Sequence, residues 1–235
     1  MKGSKIIPKY HVLLIAILPL ILNNILTPIV IILIVSFEEF LEKPFYIMYA
    51  YGPILWSIYH IFLFLLTWRF FKNEKESLKE IIGPLKDKIS HSISIIFLLI
   101  GLSILIFQII EPIASDIIYG FGMMKQMLSE YKKVPLSLFL YTVLITSLTA
   151  GTCEEIVWRG YIQTRLEYKL RSKILAITIQ AILFGLWHGT SIHAIFTAIF
   201  GFTSGFVYYK TRKLIPIMIS HWIGDVIGFS VMYFI

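Results

Sequence analysis

The sequence predicts an all-α polytopic membrane protein, a bundle of about seven transmembrane helices, and three observations carry that expectation. Hydrophobic residues make up 57% of the 235-residue chain and charged residues only 15%, where a soluble domain carries about a quarter charged. The mean hydropathy is +0.81. The apolar residues also come in blocks longer than the ~18 that mark a membrane-crossing helix. Residues 1–134 read as N-terminal spans and surface loops and residues 135–235 as a helical core that holds most of the intramembrane polar groups, both within one integral membrane domain.

Taken in order, Lys2, Lys5 and Lys9 precede an apolar run from about His11 to Val35. Signal peptides also start this way, but this run is too long and no Ala-x-Ala-like site follows, so a retained first span is expected. Pro19 and Pro28 flank Asn23 and Asn24, which predicts a bent helix with its polar side toward protein rather than lipid. Glu38, Glu39 and Glu42 make an acidic first loop. The second span runs from about Pro44 to Phe71, with Tyr46, Tyr49, Tyr51 and Trp68 toward its ends, where amphipathic rings favour the interface. Residues 72–92 are polar and lysine-rich and read as an amphipathic surface segment, an eighth helix if counted. A third span covers about Ser92 to Ile110, ended by Glu111, Pro112 and Asp116. The fourth starts near Pro135 and runs into Glu154 and Glu155, after which residues 159–173 are basic and helical in pattern. Three more spans follow: about Ile174 to Trp187, Ile192 to Tyr209, and Leu214 onward.

Basic residues orient this layout. With the N-terminus inside, 17 of the 21 Lys and Arg fall in inner segments, which predicts a cell-membrane protein with a cytoplasmic N-terminus. The same distribution accounts for the net charge of +7. No nucleic-acid partner is expected, because no basic stripe lies outside the loops. The single cysteine, Cys153, excludes an intrachain disulfide and a Cys-based zinc cluster. Gly185 with Gly189, Gly201 with Gly205 and Gly224 with Gly228 recur four apart. Such pairs let helices approach closely in lipid, so the last three spans are expected to pack tightly.

Ionisable groups within apolar runs are costly and mark function by default. Glu154 and Glu155 point about 100° apart on a helix and cannot share one task. Glu155 stands four before Arg159, the favourable order for an ion pair. That pairing leaves Glu154 without a local partner, as a candidate general base. His221 and Asp225 are four apart on one face and are expected to pair by hydrogen bond. His188 closes the fifth span, and Glu154 and His188 each lie 17 residues from Arg171. An antiparallel hairpin turning there sets the two side chains level, ~25 Å from the turn. His11, His60, His91 and His193 lack such company and read as structural. A carboxylate and a histidine meeting at one point can polarise a water for attack on a carbonyl, while a second histidine with a polar partner stabilises the oxyanion. The same atoms suit zinc, with Glu154, His188 and His221 as the candidate ligands. Neither His-Glu-x-x-His nor Glu-x-x-His occurs. A thiol nucleophile at Cys153 is less favoured than a buried structural thiol.

Glu154-Glu155-x-x-x-Arg159, Phe184-x-x-x-His188 and His221-x-x-x-Asp225 resemble, in order and spacing, the three motifs of the CPBP intramembrane proteases. This family, also called Abi or CAAX proteases, includes the type II CAAX prenyl endopeptidases, and the likeness covers about residues 135–235. The resemblance implies that Glu154 and His188 activate the attacking water, that His221 and Asp225 form the oxyanion site, and that Glu155 and Arg159 support them. It implies a glutamate-dependent hydrolase without a metal or other cofactor. Asp225 stands where prenyl proteases of this type usually carry Asn, and Trp158 where Phe is frequent. The first difference points away from a prenylated substrate rather than from the fold.

The expected activity is therefore endopeptidase cleavage of a small or lipid-modified peptide within the membrane, with that peptide and membrane lipid as partners. Two other classes compete. Some members of the family confer immunity to bacteriocins or bind partners without demonstrated cleavage, and a scaffold of that kind need not retain all these groups. A proton-coupled transporter would use intramembrane Glu and His as a relay. Here, however, the polar groups cluster in one half with no repeat to pair the halves.

Overall fold

The structure is a computed structural model describing residues 9–84, 89–170 and 172–234. Ten helices and no strand are formed among these residues. They are α1 (Lys9–Val35), α2 (Phe37–Glu42), α3 (Pro44–Asn73), α4 (Leu78–Ile82), α5 (Ile89–Tyr119), α6 (Met123–Tyr131), α7 (Leu136–Lys169), α8 (Lys173–Trp187), α9 (Ile192–Thr211) and α10 (Ile215–Phe234). Six of them, α1, α3, α5, α7, α9 and α10, are long and apolar enough to cross a membrane. The seventh expected span, α8, has 15 residues, ~22 Å of helix against a hydrocarbon core of ~30 Å. The fold is the all-α polytopic bundle that the apolar blocks predict.

The surface of the bundle is apolar and much of its interior polar, as lipid requires. Leu33, Phe97, Leu98 and Leu144 are exposed, whereas Ser57, Thr67, Thr142, Thr146, Ser147, Gln163 and Gln180 are buried. Helix α7 is the hub, in contact with α1, α3, α8, α9 and α10. Its buried Val157, Trp158, Tyr161 and Ile162 pack in one core with Phe71, Phe184, Trp187, Tyr208 and Leu214. With no hydrophobic drive between helices in lipid, close approach and polar contacts hold such a bundle. Both are present. A Cβ on Gly185 would lie 2.4 Å from Ala194 O, and one on Gly205 2.8 Å from Gln163 Oε1. The first approach is to backbone and admits only glycine, while the second crowds the end of a side chain. Gly189 serves differently: its φ of +112° turns the chain between α8 and α9.

The middle of α7 is wound wide, as π-helix over Thr142–Thr146, Ala150–Glu154 and Ile156–Gln163. Ser147 Oγ donates to Thr142 O, five residues back, at 3.1 Å. Hydroxyls that bond to nearby carbonyls compete with the α-helical ladder, and π turns gather at functional sites. Helix α1 shows the same device. It is wide over Leu22–Leu26, where Thr27 Oγ1 donates to Leu22 O, and Asn23 Nδ2 reaches Trp187 O at 2.5 Å. The polar side of α1 thus faces protein, as its two asparagines predict.

Two expectations for the N-terminal half are corrected and a third is refined. The third span does not end near Ile110, because α5 continues through Pro112 to Tyr119. A π turn over Leu105–Ile110 precedes that proline within the continuing helix, the kind of ladder irregularity by which a helix accommodates an internal proline. The acidic first loop is a helical turn, α2, capped by Ser36 Oγ. Residues 72–84 lie at the surface as expected, with Glu74 as the exception. Glu74 is buried and accepts from Arg165 Nε at 3.1 Å and Tyr161 Oη at 2.6 Å, with His11 Nδ1 2.9 Å away. Leu214 N donates to Ile82 O at 2.9 Å. The start of α1, the α3–α4 segment, the end of α7 and the α9–α10 turn therefore meet at one end of the bundle. These are the segments that the basic residues place on one side. The turn expected at Arg171 lies outside the described residues.

Candidate active site

Glu154 and Glu155 leave the wide middle of α7 in different directions, as their adjacency requires. Both are buried, 3% and 0% exposed. Glu155 Oε1 accepts from Arg159 Nη1 at 2.9 Å and pairs with His221 Nδ1 at 2.8 Å. The Arg159 guanidinium carbon lies over the Phe184 ring, 4.3 Å from its centre, and a Cβ on Gly201 would press to 2.7 Å from that ring. Phe184, Gly201 and Arg159 thus form one stack that fixes Glu155, which in turn orients His221 on α10.

The expected hydrogen bond between His221 and Asp225 is corrected. His221 Nε2 and Asp225 Oδ2 are 3.7 Å apart, and the close partner of His221 is Glu155. Four-residue spacing puts the two side chains on one face of α10, but the nearer carboxylate comes from α7.

Glu154 is not left without partners, a second correction. Trp187 Nε1 donates to its Oε1 at 3.1 Å, and His60 Nε2 on α3 lies 2.7 Å from the same oxygen, off the line of a hydrogen bond. The other oxygen, Oε2, faces His188 Nε2 at 3.8 Å. Both of these facing atoms are buried and without a hydrogen-bond partner among the described residues. His188 sits just past the end of α8, where Asn23 and Asn24 on α1 hold the last carbonyls, Trp187 O and Leu186 O. The level arrangement of Glu154 and His188 that the hairpin arithmetic anticipates is present.

His60, His193 and His11 have the company that their sequence neighbours do not reveal. His193 Nδ1 lies 2.9 Å from Glu111 Oε1, and its ring meets that of His188 edge-on with centres 5.7 Å apart. His11 joins the Glu74 cluster. A signal was available for His60: an ionisable ring in the middle of a 30-residue apolar helix is itself costly. Its partner is 94 residues away, and no local spacing connects the two.

The space around these groups is small. A cavity of about 10 Å³ lies beside His60, Cys153, Glu154 and Trp187, roughly what one water occupies. Near the α8–α9 turn, an apolar groove of about 530 Å³ is lined by Ile118, Leu186, Ile192, Ile195 and Ala198 among others. Among the described residues, no three His, Cys, Asp or Glu side chains are grouped to hold a metal ion. Glu154, His188 and His221 are not grouped as such a ligand set.

Fold and site together define a polytopic helical membrane protein with buried carboxylate–histidine pairs at its centre. Residues 136–227 match the family model described as type II CAAX prenyl endopeptidase Rce1-like, and over that part of its length the chain resembles the CPBP/CAAX proteases. That family is one of intramembrane endopeptidases. No curated protein and no solved structure matches the chain. The match begins at the first residue of α7 and ends within α10, so His60, Asn23 and Asn24 lie outside it.

Proposed function

We propose that the protein is an intramembrane endopeptidase in which Glu154 and His188 activate a water for attack on a peptide carbonyl. The observation that carries this reading is the facing pair, Glu154 Oε2 and His188 Nε2, buried, unpartnered and 3.8 Å apart. A water in contact with both would lose a proton to one of them as its oxygen adds to the carbonyl, and that proton passes to the leaving amine. His221, held by Glu155 and Arg159, donates to the oxygen that becomes negative, and Asp225 lies beside it. A donor fixed before the reaction needs no reorganisation, which is the use of so many buried contacts around Glu155.

The substrate in this reading is a small or lipid-modified peptide. The groove beside the α8–α9 turn offers apolar walls for a lipid or for aliphatic side chains, and it adjoins the turn that carries His188. The test is cleavage by purified protein in liposomes of two quenched fluorogenic peptides, one ending in farnesyl-cysteine and three further residues, the other unlipidated. Cleavage of at least one is expected, with the rate unchanged by 1,10-phenanthroline. No cleavage of either would overturn the endopeptidase reading. Loss under chelator with recovery on added zinc would replace the metal-free mechanism.

A further inference from the structure

We propose that His60, on α3 and outside the family-matched region, is a positioning residue that locks Glu154 in its working orientation. The inference rests on the reading of Glu154 as the group that activates water. The packing around the His60 ring carries it. Thr149 Oγ1 donates its one hydrogen to Thr146 O at 3.0 Å, so it faces His60 Nδ1, 3.1 Å away, as an acceptor. His60 therefore carries a hydrogen on Nδ1. Its Nε2 is 2.7 Å from Glu154 Oε1, a close contact between two buried groups that lies off the line of a hydrogen bond.

The consequence for Glu154 is geometric. Its Oε1 is held from two sides, by His60 and by Trp187 Nε1, and this leaves Oε2 as the oxygen presented to His188. His60 and Glu154 are each 3% exposed. Thr149 stands on the same wide-wound helix as Glu154, five residues before it, and α7 thus sets the ring and receives its grip. The catalytic half matched by the family model is completed by a side chain from the second span.

The test compares His60→Gln, His60→Asn and His60→Leu, because the Gln amide reaches the Nε2 position, the Asn amide only the Nδ1 position, and Leu neither. With the farnesyl-peptide probe, kcat should fall roughly 100-fold for Asn and Leu, the scale of a catalytic group misplaced by about 1 Å. KM should stay within about twofold, and Gln should retain most of the rate. Placing His60→Leu in a Glu154→Gln background should cause no further loss. A purely structural role would instead make activity follow thermal stability, with Gln no better than Asn.

An activity-independent readout accompanies the kinetics: the indole N–H resonance of Trp187 in ¹⁵N-tryptophan-labelled protein. It should move in His60→Leu and stay near its wild-type position in His60→Gln. An unmoved resonance, or equal activity in all three variants, overturns the proposal. If wild type cleaves no probe, the protease reading fails, and the resonance still decides whether His60 grips Glu154. If Glu154→Gln abolishes cleavage while His60→Leu does not, the positioning role alone fails.

Discussion

One oxygen of Glu155 serves both Arg159 and His221, and all three side chains are buried. Half of this arrangement is legible in the sequence. The four-residue spacing of Glu155 and Arg159 predicts their pair, while the bond to His221 crosses 66 residues and depends on how α7 meets α10. Glu154 follows the same pattern: its place opposite His188 follows from hairpin arithmetic, but its contacts to His60 and Trp187 do not. Removing one member of a buried pair leaves a charge that the surroundings cannot solvate. Arg159→Met keeps the bulk and strands Glu155, and should destabilise the protein by about 3–5 kcal/mol, read as a lowered unfolding midpoint in detergent. A loss under about 1 kcal/mol would mean that the pair is solvated or redundant.

Among the elements, helix positions were readable from apolar runs, and the internal winding of the helices was not. The wide turns of α1, α5 and α7 arise where hydroxyls bond back along the chain and where a proline must be accommodated, and neither signal has a fixed period. The recurrent glycines were readable as packing sites, and they divide by what they meet. Gly185 lies against the backbone of α9, with Ala194 O 2.4 Å from where a Cβ would stand, whereas Gly101 on α5 has nothing within 4 Å. Gly185→Ala should therefore force α8 and α9 apart and cost about 1–3 kcal/mol. Gly101→Ala should be neutral or stabilise by up to about 1 kcal/mol through helix propensity. Thermal unfolding of both variants in one detergent checks the contrast, and equal shifts would contradict the close packing of α8 on α9.

For the molecule as a whole, composition and apolar blocks were enough for the fold class, because lipid leaves a chain of this hydropathy few alternatives to a helical bundle. What they could not convey is that the N-terminal spans take part in the site. Asn23 and Asn24 hold the end of α8, and His60 reaches Glu154, contacts made only when α1 and α3 pack on the other half. The burial of Glu74 is hidden for a similar reason: it is polar in sequence, but Arg165, Tyr161 and His11 enclose it. The account stands on the pairing of Glu154 with His188 at the centre of this bundle. It is tested most directly by the initial rate of fluorogenic peptide cleavage in liposomes for wild type, Glu154→Gln, His188→Ala and Cys153→Ala. Losses on the order of 1,000-fold are expected for the first two variants and a rate within about twofold of wild type for Cys153→Ala. Equal rates in wild type, Glu154→Gln and His188→Ala, or a loss confined to Cys153→Ala, would contradict it.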